Sequence, residues 1–314
     1  MPQRRIILPA LVMVAAVVCG SCTSSTGTDP QRGPEPDAEA SSPMVVASFS
    51  FSESRVLAEI YALVLEAGGY PVTRRFNLGS REIVEPALFQ DKIDLVPEYL
   101  GSALEFASLS AAEGTSDPRI MHRKLSRALS PKGVEVLAHA PAQDQNAVAV
   151  TASTAARYGL RKVSDLKSIA PELAFGGPPE CPERPLCLRG LGEKYGLEFK
   201  SFVSLDAAGP VTVTALDNGE VDVAAMFTTS PSIPGQDFVL LEDDQGLQPA
   251  ESVVPVIRRE MMEVHGTRFV AILNRVTRRL STQDLRLLNK KVELEGVSPA
   301  SAARAWLRAE GLGS

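Results

Sequence analysis

Few side chains in this sequence are suited to do chemistry, and four of them are cysteines. Cys181 and Cys187 flank Pro182-Glu183-Arg184-Pro185-Leu186, so five residues, two of them proline, lie between the thiols. That spacing suits a short, stiff loop, and in an oxidising compartment the two thiols make a disulfide pair. Zinc is the alternative, but it needs two further thiolate or imidazole ligands, and His122, His139 and His265 are distant in sequence. Arg184, inside the loop, offers a planar fork of donors that fits a carboxylate; a plain surface arginine is the competing reading. No Ser-His-Asp order, nucleophile elbow, Walker loop or His-Glu-x-x-His helix is present. The acidic patches Glu242-Asp243-Asp244 and Glu293 with Glu295 lack a partner set. The residues point away from an enzyme, and no metal or cofactor is expected.

Cys22 belongs to a different chemistry. Arg4 and Arg5 precede an apolar run over residues 6–18. The run is shorter than the ~20 residues a membrane helix needs and fits the apolar segment of a secretory signal. Gly20-Ser21-Cys22 puts small residues before a cysteine, as in lipoprotein signals, where the thiol takes a diacylglycerol; Cys19 stands where such signals usually carry leucine. Ordinary secretion is the alternative. Residues 23–43 are rich in Ser, Thr, Pro, Gly and acids with no apolar period, so they cannot bury enough surface to offset ordering and predict a flexible tether. The expected organisation is a signal at 1–21, a tether at 22–43 and a folded body from 44. An exported protein with a lipid anchor on the extracytoplasmic face of the cell membrane is the expectation. The formal net charge is −6, and two units more negative without Arg4 and Arg5, so nucleic acid is not an expected partner.

These residues need elements to position them, and the apolar pattern supplies an alternation. Residues 45–49 predict a buried strand. After Ser52 and Glu53, the residues Val56, Ile60, Leu63, Val64 and Ala67 recur at helical spacing, and Gly68-Gly69 closes that helix. Strands at 70–76 and 93–96 enclose a helix carrying Ile83, Ala87 and Leu88. From Asn146 the alternation restarts, with strands at 146–150, 173–177, 199–203 and 221–227. Such alternation implies α/β lobes with mostly parallel sheets. Gln90-Asp91-Lys92-Ile93-Asp94-Leu95-Val96 and Asn218-Gly219-Glu220-Val221-Asp222-Val223-Ala224 share one phrase, a turn and then an acid between apolar residues. Two similarly built lobes are expected. Near the end, Ser281 to Asp284 reads as a capping box, Ser298 caps the last helix, and Trp306 is expected in the core.

In this order the segments resemble a known family. Ala47-Ser48-Phe49-Ser50-Phe51-Ser52-Glu53, Leu57-Ala58-Glu59-Ile60-Tyr61 and Leu65-Glu66-Ala67-Gly68-Gly69-Tyr70-Pro71-Val72 resemble the opening of the quaternary-amine (glycine betaine, choline, carnitine) substrate-binding proteins of ABC importers. Asp94-Leu95-Val96-Pro97-Glu98-Tyr99-Leu100-Gly101 resembles their strand-and-turn motif. Arg184, Gly190-Leu191, Tyr195-Gly196-Leu197, Gly219-Glu220-Val221-Asp222 and Phe227-Thr228-Thr229 resemble second-lobe landmarks, and Ala305-Trp306-Leu307 the end.

The resemblance implies a two-lobed, periplasmic-binding-protein-like α/β fold (type II) with hinge crossover strands, closing on a ligand. By that analogy residues 44–146 with 253–314 form one lobe and 147–252 the other. The implied ligand site draws on Phe49, Ser50, Ser80, Asp94, Tyr99, Asn146, Arg184, Phe227 and Thr228. Asp94 faces the pocket in that picture, or caps the following turn. The family holds a trimethylammonium head among aromatic rings, and by the resemblance Val96 and Val213 stand where rings are common. Weak betaine binding, or a larger, flatter ligand with a polar end, follows as an expectation. The implied function is delivery of a compatible solute or related small polar molecule to ABC permease subunits, by a monomer. A sensory or scaffold lipoprotein of the same fold is the alternative.

Overall fold

The computed structural model describes residues 43–108, 114–233 and 237–313. The expected signal, Cys22 and all of the tether but its last residue lie outside the described residues. The chain opens with β1 (Met44–Ala47), α1 (Ser52–Ala67), β2 (Val72–Arg75), α2 (Arg81–Phe89), β3 (Leu95–Tyr99), α3 (Leu100–Ser108), α4 (Pro118–Leu129) and β4 (Val134–Val136). It continues with β5 (Asn146–Thr151), α5 (Ala152–Tyr158), β6 (Ala174–Gly177), α6 (Leu188–Gly190), β7 (Ser201–Ser204), α7 (Pro210–Asp217), β8 (Val223–Phe227) and β9 (Phe238–Leu241). It closes with β10 (Val253–Arg258), α8 (Arg259–Thr277), α9 (Thr282–Glu293) and α10 (Pro299–Ala309).

Ten strands form two five-stranded sheets, ordered β2-β1-β3-β10-β4 and β7-β6-β8-β5-β9. The two orders are the same design. In each, three neighbouring strands run parallel, and a fourth lies antiparallel between the third and the edge. Parallel neighbours need a crossover, and α1 and α2 supply it in the first lobe. All five residues of β3 are buried, as expected of a strand covered on both faces.

The repeated phrase has a structural meaning. Asp94 accepts the Val45 N–H at 2.8 Å, and Asp222 accepts the Ala174 N–H at 2.8 Å. Each acid satisfies the leading amide of its sheet's central region, once per lobe. The crossover segments also pair with each other. Gln143 bridges Ser252, Val253 N–H donates to the Ala142 carbonyl, and Asp144 N–H to that of Glu251.

The first lobe carries one apolar cluster on each side of its sheet. Leu57, Ile60 and Tyr61 pack with Phe269, Leu273 and Trp306 on one side, and Val84, Leu88, Val96 and Leu125 on the other. Trp306 is therefore a packing residue. Ser281 and Asp284 complete a reciprocal capping box, and Ser298 caps α10. Among the described residues no helix is long and apolar enough to cross a membrane.

Candidate functional site

The carboxyl ends of parallel strands are where open α/β sheets gather ligands, and here those ends carry rings. Phe49 and Phe51 follow β1, Tyr99 ends β3, and Phe227 ends β8 in the opposite lobe. Phe51 is their hub: its ring centroid lies 5.9 Å from Phe49, 6.1 Å from Tyr99 and 5.5 Å from Phe227. The four rings line one side of a cleft of about 900 Å³, open mouth included. Ser50, Ser80, Ser102, Asn146 and Arg184 add polar groups, and Met226 and Ala208 apolar ones.

Phe49 is fixed from behind. The Arg81 guanidinium lies 5.1 Å from its ring centroid and forks onto Glu98 with two 2.8 Å bonds, fully buried. Arg81 begins α2, so the pair ties that helix to β3. Glu251 completes this floor by accepting from Gly101 N–H, Ser102 N–H and the Ser102 hydroxyl.

Across the mouth, Arg184 of the second lobe donates to both oxygens of Glu82 in the first, at 3.0 and 2.9 Å. It also meets Glu180 at 3.3 Å. Burial alone would raise the Glu82 carboxyl, but the Ser80 hydroxyl and Arg184 hold it below the usual range. Cys181 and Cys187 are brought together, with their Cα atoms 5.2 Å apart and their sulfurs at bonding distance, at the base of the loop carrying Arg184. That loop sits on Gly190, where any Cβ would collide with the Pro185 carbonyl.

Beneath the rings two acids meet. Glu53, in the first turn of α1, accepts from the Tyr99 hydroxyl at 2.7 Å, the Thr229 hydroxyl at 2.7 Å and the Asn289 amide at 2.6 Å. Asp144, on the first crossover, accepts from Thr229 N–H and the Thr228 hydroxyl, so Thr229 bridges the two acids. Burial raises both carboxyls, Asp144 strongly, with the Glu53 charge the next cause for Asp144.

The structure brings Phe49, Ser50, Ser80, Tyr99, Asn146, Arg184 and Phe227 to one cleft. Asp94 is not there. It lies just before β3, accepts the Val45 N–H of neighbouring β1 and pairs with Arg258 at 2.9 Å, so its carboxylate is taken up in the sheet. Thr228 is not there either: its hydroxyl accepts Gln145 N–H and donates to Asp144, which makes it a hinge residue. Val96 and Val213 are buried in the cores of their lobes, away from the cleft. The valines therefore remove no ring, and the reason for expecting weak betaine binding falls away. Sequence reading passed over Arg81, Glu53 and Asp144 as site residues and raised Phe51 only as a substitute ring. Phe51 and Glu53 stood in the family-like opening segment, whereas nothing local marks Asp144.

The buried acids set a pH dependence. Burial pushes Glu251 and Glu293 up to about 7 and raises Glu53, Asp144 and Glu85. A carboxyl raised on folding stabilises the protein fully below its unfolded value near 4.5 and loses that contribution as pH rises through the folded value. Glu66 and Glu82 are lowered and act oppositely, losing their contribution as pH falls below about 4.5. The thermal midpoint of the ligand-free protein is thus expected to be highest near pH 5 and to fall towards pH 8. A midpoint that rises over that interval contradicts this assignment.

The comparisons place the chain in a class. Residues 42–309 match the model of the substrate-binding domain of the ABC-type glycine betaine transport system, and the chain belongs to that family. It is 26% identical over 271 residues to the ergothioneine transport permease/ergothioneine binding protein of Helicobacter pylori (strain G27). That match covers 86% of this chain and 48% of the relative, so the chain spans about half of that protein's length. It is 28% identical over 270 residues to the glycine-betaine-binding protein of Pseudomonas aeruginosa, covering 82% of this chain and 85% of the relative. A solved glycine betaine/carnitine/choline ABC transporter structure has the same fold. Its TM-score is 0.68 at 24% identity, over 86% of this chain and 99% of that one. The family is one of transport binding proteins, which act on the extracytoplasmic side.

Proposed function

We propose that the cleft binds a zwitterion with a quaternary ammonium head and a carboxylate, and delivers it to an ABC permease without chemical change. The observation that carries the reading is the ring cluster: three rings from one lobe and Phe227 from the other converge where the lobes meet. A quaternary ammonium has no hydrogen-bond donor, so ring faces and nearby acids must hold it. Arg184 is the carboxylate's partner, which it takes in place of Glu82. Carnitine and ergothioneine carry the same head and a carboxylate, so the reading extends to them. Lobes drawn from 44–146 with 253–314 and from 147–252 close around the ligand, the paired crossovers serving as hinge.

The same proposal covers anchoring: a monomer, lipidated at Cys22, with the Cys181–Cys187 bond formed after export. Cys22→Ala is expected to move the protein from the membrane to the soluble fraction, and unchanged retention refutes the anchor. For the ligand, a thermal-shift panel of glycine betaine, L-carnitine, choline and ergothioneine is the test. Binding to the folded state alone raises the midpoint with ligand concentration. A folded protein that no member shifts overturns the reading.

A further inference from the structure

Glu53 and Asp144 are 3% and 6% exposed and are bridged by Thr229, whose hydroxyl donates to Glu53 and whose N–H donates to Asp144, yet none of their hydrogen-bond donors is cationic. Glu53 receives Tyr99, Thr229 and Asn289; Asp144 receives Thr228 and Thr229. The charged neighbours do not neutralise them. From β3 come the Tyr99 phenol and Glu98, which is committed to Arg81. From α9 come Glu293, whose near neighbours are Glu53, Asp206 and Arg55, and the exposed Arg286, whose guanidinium donates to the Thr228 carbonyl and not to either acid. Asp206 is consumed by the amides of Gly209, Val211 and Thr212. On α1 itself Arg55 donates to Ser52, and its Nε has no partner.

Two buried carboxyls held on one threonine, with no cation bonded to either, resist ionising together, so the free pair keeps a proton and titrates as a unit. The pair also straddles the ring wall. Asp144 lines the ligand cleft, Glu53 the neighbouring chamber that shares Phe51 and Phe227 with it, and Tyr99 touches both the cleft and Glu53. It joins α1 and α9 of the first lobe to the crossover and to the segment after β8, so its charge is felt at the hinge.

We propose that the Glu53–Asp144 pair is the counter-ion of the cleft and exchanges a proton for the ligand's cation: when a quaternary ammonium settles against Phe51, Tyr99 and Phe227, the pair gives its shared proton to solvent. The balance is one cation bound and one proton released, with no bond in the ligand made or broken. This rests on the quaternary-ammonium reading above. It adds a selectivity that shape and rings alone lack, because a neutral body of the same shape expels no proton. By linkage, release of one proton makes the affinity rise by up to about tenfold per pH unit while the free pair remains protonated.

The test is calorimetric titration of the full folded protein with glycine betaine and L-carnitine at one pH between 6 and 7. The buffers differ in ionisation enthalpy. The slope of the observed heat against that enthalpy counts protons, and a release approaching one per ligand is expected. Glu53→Gln keeps the side chain's shape and one acceptor oxygen, which can still take Thr229 and Asn289, and is neutral at every pH; it should fold, bind more weakly, and release none. Asp144→Asn gives the same readout from the other partner. Measurable binding with no buffer dependence, in a protein whose affinity is also flat with pH, overturns the proton exchange and leaves the quaternary-ammonium reading intact. No heat from either probe overturns both.

Discussion

Removing the rings that meet across the lobes is expected to lower the affinity for a quaternary ammonium ligand by about two to three powers of ten. Phe51 and Phe227 are the partners in that contact, 5.5 Å apart, and both line the cleft. A desolvated cation–ring contact contributes about 2 kcal/mol, and each 1.4 kcal/mol is a factor of ten in Kd. Phe51→Leu with Phe227→Leu separates electrostatics from shape, since leucine fills much of the space and has no ring quadrupole. Both rings are only half-buried, so the folded state should survive. Affinities within about threefold of the parent for the double variant would place the ligand head elsewhere.

Arg81→Ala is expected to be the most damaging single change to stability, by about 3–5 kcal/mol, because it leaves a buried charge without its partner. Glu98 is fully buried and receives both guanidinium bonds, and Glu85 and Glu251 crowd the same region. At about 2–4 °C per kcal/mol for a chain of this size, the thermal midpoint should drop by roughly 6–20 °C. Replacing both partners, Arg81→Met with Glu98→Leu, should recover much of the loss, because a buried pair contributes little over an apolar isostere. A double variant as unstable as the single one would mean that Arg81 acts mainly through its contact with Phe49.

The fold was legible because its signals are local. Short apolar runs bounded by turns gave the parallel strands, and the Ser281 and Ser298 caps marked α9 and α10 where the structure has them. The doubled acid phrase correctly implied two similar lobes. Its meaning at Asp94 was architectural, and Asp222 is the tell-tale, since it does the same work in the other lobe. The site was legible only in part because it depends on which way side chains point at the ends of strands. Val96 alternates inward with the rest of β3, so no ring is needed there. Arg184 lines the cleft, but nothing in its loop announced that Glu82 would hold it from the other lobe. Glu53 and Asp144 meet only because the crossover returns beneath α1, a contact that no spacing encodes.

The central claim is that ring faces and buried acids, and not shape alone, hold the ligand head. Glycine betaine and 3,3-dimethylbutanoate are the same shape with the same carboxylate, and differ by one nitrogen and its charge. Calorimetric titration of the folded protein with each, at pH 7 and equal ionic strength, compares them directly. The account predicts that betaine binds at least about tenfold tighter, a margin that a single ring–cation contact already covers. Equal binding of the two, or preference for the neutral head, contradicts it.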